Sequence, residues 1–259
     1  EILAEEATGF TRGKLLLHQA DIPDTAVVDR LREMLVRVAK GEPLQYVVGH
    51  WPFCGAELEV APCALIPRPE TEGLVERILR HPVWRTARFA ADIGTGTGAI
   101  AIALALAAKA EHRPVEIHAI DLSPDALNLA RNNAVDNGVK DLVFCDEGNG
   151  ASGLAQGRYD FIVSNPPYIA SADVDALPPL TPDREPRLAL DGGPDGLDVL
   201  RQIILDATQA LRPGGRLFLE IGEDQGLSVR RLLERAGYGD VVIARDLAGH
   251  DRYAEGSLP

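Results

Sequence analysis

Cysteine is scarce in this chain, and the few cysteines follow no pattern. The 259 residues include three of them, Cys54, Cys63 and Cys145, an odd number at scattered positions. They form neither the C-x-x-C pairs of a zinc or redox site nor the even-numbered framework of a disulfide-stapled domain. We therefore expect no metal site, and we expect a protein of the reducing cytoplasm.

Long hydrophobic runs and basic charge are also lacking. The longest apolar run, Ala99 to Ala108, is too short to span a bilayer, and no secretory signal is visible. Lysine and arginine number 26 against 39 aspartates and glutamates, which gives a formal net charge of −13. The short apolar runs predict no membrane partner, and because such an acidic surface repels phosphate backbones, we expect no stable nucleic-acid binding. The chain opens with Glu1 inside an amphipathic pattern, so we expect a few residues to precede it.

The composition that remains is that of a globular protein with a substantial core, at 46% hydrophobic and 25% charged residues. Residues 1–40 place apolar side chains at helical spacing, with Asp24 or Thr25 as a helix cap. Residues 41–66 change to the alternation of a β-hairpin. The pattern predicts a small helical domain over 1–40, a linker with a β-hairpin over 41–66 and a larger domain over 67–259.

The larger domain contains a strand, a glycine-rich turn and a helix in direct succession. Strand Arg88–Ile93 runs into Gly94-Thr95-Gly96-Thr97-Gly98, and the strongly helical segment Ala99–Lys109 follows. Glycines here let the backbone approach a ligand, and the helix N-terminus offers free N–H groups. The G-x-G-x-G spacing, with no G-K-[ST] after it, disfavours a pyrophosphate cradle and a P-loop.

Two carboxylates follow the next two predicted strands. Asp121 ends the strand Val115–Ile120, about 20 residues beyond the glycines, where a carboxylate can accept from both hydroxyls of a ribose. Its alternative role, capping the following helix, is served equally by Ser123. Asp146 follows the strand Asp141–Cys145 and is a candidate for holding an adenine amino group, or else a plain loop carboxylate.

The stretch Ser164-Asn165-Pro166-Pro167-Tyr168 follows a buried strand, Tyr159–Val163, at the edge where open α/β sheets bind ligands. Two successive prolines end the strand and fix the backbone, so the carboxamide of Asn165 is held on a stiff corner. An asparagine oxygen, the Pro166 carbonyl and the Tyr168 ring suit a planar group that bears an NH2. The alternative is an ordinary strand-ending turn with a capping asparagine.

Two proline-rich segments lack a clear periodic pattern. Arg68 lies between Pro67 and Pro69 and presents a fixed guanidinium, or else pairs with a surface carboxylate; a helix over 73–81, capped by residue 70 or 71, follows. The long stretch Ile169–Asp195 predicts a lid or a binding loop. Beyond it the pattern predicts helices over 197–211 and 225–236, strands over 216–221 and 241–244, and a final antiparallel strand over 253–258.

In this order, the motifs resemble those of class I S-adenosylmethionine-dependent methyltransferases. Four further segments extend the resemblance, over nearly the whole chain, to the HemK/PrmC family: Gly41–Tyr46, Leu65–Glu72, Glu185–Gly193 and Arg245–Gly249. The resemblance implies a Rossmann-like α/β sheet with helices on both faces, preceded by a helical N-terminal domain that docks the substrate. It implies S-adenosylmethionine as the cofactor and methylation of the glutamine of the GGQ motif in peptide chain release factors.

The resemblance also assigns roles to individual residues. The cofactor would be bound by Asp92, Gly94, Thr95, Gly96, Thr97, Gly98, Asp121, Asp146 and Asn165, with Asp92 on the ammonium of the methionine part. The substrate would be bound by Arg68, Asn165, Pro166, Pro167 and Tyr168, of which Asn165, Pro166 and Tyr168 would be catalytic. The family often has an aromatic after the acidic residue of the third strand, and this chain has Glu147 instead.

Three other functions remain compatible with the motifs. A methyltransferase for an exocyclic amine of a nucleic-acid base would need the same acceptor corner for a flipped-out base, but the acidic balance argues against it. A protein lysine methyltransferase would first have to remove a proton from an ammonium group. A non-catalytic protein that kept the fold would not need the Asn165 corner together with Asp121.

Overall fold

The N-terminal part of the chain is helical in the computed structural model, which describes residues 1–177 and 185–259. Its helices are α1 (Ile2–Thr8), α2 (Arg12–Leu17), α3 (Thr25–Ala39) and α4 (Leu44–Val48). Asp24 caps α3 by accepting a hydrogen bond from the Ala26 N–H, as the sequence predicts. Leu3, Met34 and Val47 pack together, so α4 joins the apolar cluster of α1 and α3 although it lies in the predicted linker.

The expected hairpin is present and is fastened to the larger domain. Strands β1 (His50–Phe53) and β2 (Ala56–Glu59) pair antiparallel and bury Phe53 and Leu58. The side chain of Asn133 accepts from the Glu59 N–H at 2.7 Å and donates to the Glu59 carbonyl at 3.0 Å. One buried carboxamide thereby satisfies both backbone groups of a strand residue that has no third strand beside it in the described part of the chain.

The larger domain is one mixed seven-stranded sheet with the order β5-β4-β3-β6-β7-β9-β8. Its strands are β3 (Phe89–Ile93), β4 (Glu116–Asp121), β5 (Val143–Glu147), β6 (Tyr159–Ser164), β7 (Leu211–Glu220), β8 (Gly239–Arg245) and β9 (Asp251–Ser257). Strands β3 to β7 pair in parallel, and β9 runs antiparallel to both of its neighbours. The antiparallel final strand is confirmed.

Helices cover both faces of this sheet. They are α5 (Pro69–Arg80), α6 (Pro82–Thr86), α7 (Ala99–Ala110), α8 (Pro124–Asp136), α9 (Ser171–Ala176), α10 (Asp198–Ala210) and α11 (Gly226–Arg235), with one 3-10 turn at Arg187–Ala189. Helices α5 and α7 contribute to one apolar core with Phe161 and Phe218, while α10 and α11 contribute to another with Ile162 and Leu217. The Rossmann-like class expected from the sequence is confirmed.

The sheet brings three sequence motifs to one edge. Strand β3 lies between β4 and β6, and the parallel register pairs Ile93 with Ile120 on one side and with Ser164 on the other. The glycine turn, Asp121 and Asn165 follow directly, at the carboxyl ends of these three strands. The fold therefore places them around one crevice, as parallel sheets of this kind do.

Some predicted boundaries were wrong. Helix α5 begins at Pro69, four residues before the predicted start, because proline suits the first helical position and Arg68 takes the extended cap conformation. Thr71 consequently lies inside the first turn instead of capping the helix. The predicted loop Ile169–Asp195 contains α9 and the 3-10 turn, and its residues 178–184 lie outside the described part of the chain. Among the described helices, none has both the length and the apolar character needed to cross a bilayer.

Candidate active site

A cavity of about 390 Å³ occupies the crevice at the carboxyl edge. Its walls come from the glycine turn, the ends of β4 and β6, and two segments distant in sequence. The residues that line it include Leu65, Arg68, Thr71, Gly94, Thr95, Gly96, Thr97, Asp121, Leu122, Ser123, Gly148, Asn149, Gly150, Asn165, Pro166, Pro167, Pro186, Leu188, Ala189 and Asp191. Most of the predicted site residues are therefore brought together.

The glycine turn has left-handed backbone at Gly94, Gly96 and Gly98, with φ of 70°, 56° and 82°. A Cβ at Gly94 would meet no atom within 4 Å, so the backbone there faces open space. A Cβ at Gly98 would lie 3.0 Å from the Ile102 side chain and 3.1 Å from that of Ala130. Gly94 thus leaves room at the cavity, whereas Gly98 permits α7 to pack on α8.

Asp92 is fully buried behind the turn and is not among the cavity-lining residues. Its Oδ2 accepts from the Thr95 hydroxyl at 2.6 Å and from the Ala101 N–H at 3.2 Å. Its Oδ1 has no hydrogen-bond partner in the part of the chain that the structure describes. Burial raises the pKa of this carboxyl to about 7, against the lowering by the Thr95 hydrogen bond. The structure thus places Asp92 as a brace for Thr95 and α7, and its contact with the methionine ammonium stays a prediction.

Asp121 lies in the cavity wall and also shapes the turn opposite. Its Oδ2 accepts from the Gly96 N–H at 2.8 Å, and its Oδ1 accepts from the Ser123 N–H at 2.9 Å. Each carboxylate oxygen can accept further hydrogen bonds, so both remain able to take a ribose hydroxyl. Ser123 caps α8 by accepting from the Ala126 N–H, which frees Asp121 from that role.

Asp146 is not brought to the cavity. It lies within β5, its side chain is 65% exposed, and its Oδ2 is 3.7 Å from Nδ1 of His118. The wall at this end is built by Gly148, Asn149, Gly150 and Leu122 instead. The contact between Asp146 and an adenine stays a prediction that the placement of the side chain does not favour.

Asn165 is oriented by a chain of two hydrogen bonds. Its Nδ2 donates to the Thr71 hydroxyl at 3.0 Å, and that hydroxyl donates to Oε2 of Glu220 at 2.8 Å. Neither Oδ1 of Asn165 nor the carbonyl oxygen of Pro166 accepts a hydrogen bond from any residue the structure describes. Both residues line the cavity, so two unsatisfied acceptors are available to a ligand there.

Tyr168 lines a smaller cavity of about 140 Å³ that shares Asn165, Pro166 and Pro167 with the larger one. Its hydroxyl lies 3.4 Å from Oε1 of Glu220, the carboxylate that also receives Thr71. Burial, followed by the charge of Glu220, raises the pKa of Tyr168 to about 12. The phenol is therefore neutral at physiological pH, and its ring borders the space beside the acceptor corner.

Arg68 pairs with a buried carboxylate and not a surface one. Its Nη2 donates to both oxygens of Glu185, at 2.7 and 2.6 Å, and the Ile66 N–H donates to the same side chain at 3.2 Å. Glu185 is 4% exposed. Arg68 lines both cavities, so this pair ties the segment after Glu185, which also lines the larger cavity, to the start of α5. A contact of Arg68 with substrate stays a prediction.

The sequence pattern alone did not single out Thr71 or Glu220 as parts of the site, whereas the segment from Pro186 to Asp191 belongs to the stretch Ile169–Asp195, for which the sequence predicts a lid or a binding loop. Thr71 was read only as a candidate helix cap. Glu220 carried a detectable signal, because it is a lone carboxylate ending a buried strand at the carboxyl edge, as Asp121 does. The segment runs beside the acceptor corner, where Ile169 and Asp191 form a parallel bridge.

Comparison with known proteins agrees with this geometry. A family model described as the PrmC N-terminal domain matches residues 1–49, and one described as the methyltransferase small domain matches residues 70–177. A release factor glutamine methyltransferase of Geobacter sulfurreducens is 43% identical over 88% of this chain and 77% of its own. One from Bordetella pertussis is 42% identical over 99% of this chain and 93% of its own. The chain belongs to the release factor glutamine methyltransferase family.

Membership of the release factor glutamine methyltransferase family confirms the family expected from the motifs, the methyltransferase class and S-adenosylmethionine as the cofactor. Solved structures agree on the fold alone. A methyltransferase from Pyrococcus furiosus has a TM-score of 0.57 at 22% identity, over 88% of this chain and 98% of its own. The hMettl16 catalytic domain, in complex with the MAT2A 3′UTR hairpin 6, has a TM-score of 0.61 at 19% identity, over 91% and 82%.

Proposed function

We propose that this protein transfers a methyl group from S-adenosylmethionine to the side-chain amide nitrogen of the GGQ glutamine of a peptide chain release factor. The observation that carries the proposal is the pair of unsatisfied acceptors, Asn165 Oδ1 and the Pro166 carbonyl, on the wall of a cavity shared with the glycine turn. A primary amide is a planar group with two N–H donors, which matches two acceptors on a rigid corner.

The residues around the cavity fit the cofactor. Gly94 leaves open space where a side chain would otherwise project, and Asp121 offers two carboxylate oxygens on the same wall. When bound, S-adenosylmethionine supplies a sulfonium methyl group that is already activated. The protein's own contribution is then to hold the acceptor in line and to stabilise charge.

The acceptor corner would activate a poor nucleophile. The lone pair of an amide nitrogen is delocalised into its carbonyl, so nitrogen must be aligned with the methyl group before it can attack. With Asn165 Oδ1 and the Pro166 carbonyl each accepting one N–H, the lone pair is aimed, and the positive charge that grows on nitrogen is stabilised most in the transition state. Tyr168 would pack beside the amide and exclude water. The methylated amide then loses its proton without a dedicated base.

The helical N-terminal unit, residues 1–40 as predicted, is proposed to dock the release factor, and residues 67–259 to form the catalytic domain, joined by 41–66. We propose the cytoplasm as the place of action, where release factors are met. Stable nucleic-acid binding is not expected, because the formal net charge is −13.

The test is transfer of labelled methyl to a release factor whose GGQ glutamine is intact or replaced, with the modified site located by mass spectrometry. We expect label only on the intact glutamine. Asn165→Ala should lower the rate by at least about 100-fold, because one of the two hydrogen bonds that align the reacting nitrogen is lost. Its affinity for S-adenosylmethionine should stay within a few fold, measured by titration calorimetry. Label on both release factors, label on a lysine, or near wild-type turnover in Asn165→Ala would refute the proposal.

A further inference from the structure

Glu220 is a buried carboxylate that the proposed transfer does not itself use. It ends β7, is 1% exposed, and receives the hydroxyls of both Thr71 and Tyr168. These two residues come from α5 and from the corner after β6, so a single carboxylate joins the two sides of the acceptor site. Burying a carboxylate is costly unless charge pairing or hydrogen bonds compensate for the lost water, and here the two hydroxyls supply such hydrogen bonds.

The direction of each hydrogen bond in this cluster follows from the one before it. An ionised carboxylate can only accept, so the Thr71 hydroxyl must use its single proton on Glu220. Thr71 can then act towards Asn165 only as an acceptor, and it receives Nδ2 at 3.0 Å. With Nδ2 committed to Thr71, Oδ1 is left as the atom of the carboxamide that is free to accept.

We infer that Glu220, acting through Thr71, is the positioning residue that sets which end of the Asn165 carboxamide meets the substrate. The inference rests on the proposed function, since it explains how the acceptor corner keeps its polarity. Without the relay the carboxamide can rotate by half a turn, and its NH2 then opposes the NH2 of the incoming glutamine. A donor facing a donor removes a hydrogen bond and leaves the polar groups of both partners unpaired.

The same geometry makes the direction of the relay depend on whether Glu220 is ionised. Other charged or titratable side chains that act on it are Glu70 on α5, Tyr168 after β6, and Arg252 on β9; Tyr253 on β9 also feels its charge. Burial raises the pKa of Glu220 to about 7, while the pKa values of Tyr168 and Tyr253 are raised to about 12. A protonated Glu220 can donate to Thr71, which lets the relay reverse. Transfer should therefore rise with pH as Glu220 ionises.

Thr71→Val keeps the shape of the side chain and removes the relay, so kcat should fall by about 10- to 100-fold with little change in the affinity for S-adenosylmethionine. Thr71→Ser keeps the hydroxyl and should recover most of that rate. Thr208→Val is the matched control, because Thr208 is also a helical threonine, and within the described part of the chain its hydroxyl bonds only to its own helix, at the Leu205 carbonyl. Loss of kcat in Thr71→Val without rescue by Thr71→Ser would overturn the inference.

Glu220→Gln provides a second kinetic test. A glutamine can donate to Thr71 at any pH, so the variant should show a low rate and should lose the acid limb seen in the wild type. Asp92, whose pKa is also raised to about 7, is the other source of such a limb. An acid limb that persists in Glu220→Gln would belong to Asp92 and would contradict the inference.

A measurement without substrate separates this inference from the proposed function. The side-chain NH2 of Asn165, followed by NMR in asparagine-labelled protein, should be protected from exchange in the wild type and in Thr71→Ser. It should lose protection in Thr71→Val. If the three proteins show this pattern of protection but the wild type methylates no release factor, the proposed function is refuted and the relay is supported. If the wild type is active but the Asn165 NH2 is unprotected from exchange in all three proteins, the relay is refuted and the proposed function is not.

Discussion

Two glycines of the same turn should respond differently to the same substitution. Gly94 and Gly98 both have positive φ, of 70° and 82°, so alanine is strained at either position. They differ in what surrounds them, because a Cβ at Gly94 meets nothing within 4 Å, while one at Gly98 meets Ile102 at 3.0 Å and Ala130 at 3.1 Å. Gly94→Ala and Gly98→Ala therefore separate backbone strain from packing.

The magnitudes follow from these distances. Left-handed backbone costs an alanine about 1–2 kcal/mol, which both variants share. At Gly98 the added methyl group must push apart α7 and α8, and overpacking of this kind costs about 1–3 kcal/mol more. We expect Gly98→Ala to lower the free energy of unfolding by about 2–5 kcal/mol and Gly94→Ala by about 1–2 kcal/mol. The entropic gain from restricting the unfolded chain is the same for both and cancels in the comparison.

Urea denaturation measures the loss of stability, which should be larger in Gly98→Ala. Titration calorimetry with S-adenosylmethionine measures the loss of cofactor affinity, which should be larger in Gly94→Ala. Gly94 lines the cavity and Gly98 does not, so the new methyl at Gly94 should weaken cofactor binding more than the one at Gly98. Equal losses of stability would show that packing between α7 and α8 does not constrain Gly98. A larger loss of cofactor affinity at Gly98 would refute the assignment of the two glycines.

Three further outcomes follow from contacts described above. Asp121→Ala should weaken S-adenosylmethionine binding by about 1–3 kcal/mol in calorimetry, since it removes charge-assisted acceptors; unchanged affinity would remove Asp121 from the cofactor site. Among the described residues, Arg68→Ala leaves the Ile66 N–H as the one hydrogen-bond donor to the buried Glu185 carboxylate, and it should lower the free energy of unfolding in urea by about 1–3 kcal/mol. Hydrogen bonds that His50 donates to Glu6 and Glu57 raise the pKa of His50, so the stabilisation from its charged form is fully present below the unfolded pKa of about 6.5 and is lost as pH rises through the folded pKa. His50→Gln should flatten that part of the pH dependence of the urea midpoint, and an unchanged slope would contradict it.

The sheet and most of the cavity wall could be predicted from local patterns. Buried strands that end in Asp121 and in Ser164-Asn165 carry their own signal, because parallel strands must present their carboxyl ends at one edge. The glycine turn adds a strand-to-helix transition, which glycines between an apolar strand and a helical segment indicate. Once these strand ends and the glycine turn are recognised, the topology of a parallel sheet predicts that Asp121, Asn165 and the glycines lie together in one crevice.

What could not be predicted depends on contacts between distant parts of the chain. Thr71 meets Glu220 across 149 positions, and Arg68 meets Glu185 across 117. No periodicity in a single segment reports such pairs. The short helices α4 and α6 were missed for a related reason, since five residues are too few to establish a helical repeat and are stabilised by packing.

The place of β9 sets an order of events during synthesis. Strand β8 leaves the ribosome before β9, yet among the described strands β9 is its only partner. Until residues 251–257 emerge, β7 has an open side and β8 has no sheet to join. This half of the sheet can close only by inserting a late strand between two earlier ones, which makes it the slow and aggregation-exposed step of assembly. Glu220 lies on β7 at that seam, in register with Tyr253, so the nascent domain completes the surroundings of Glu220 last.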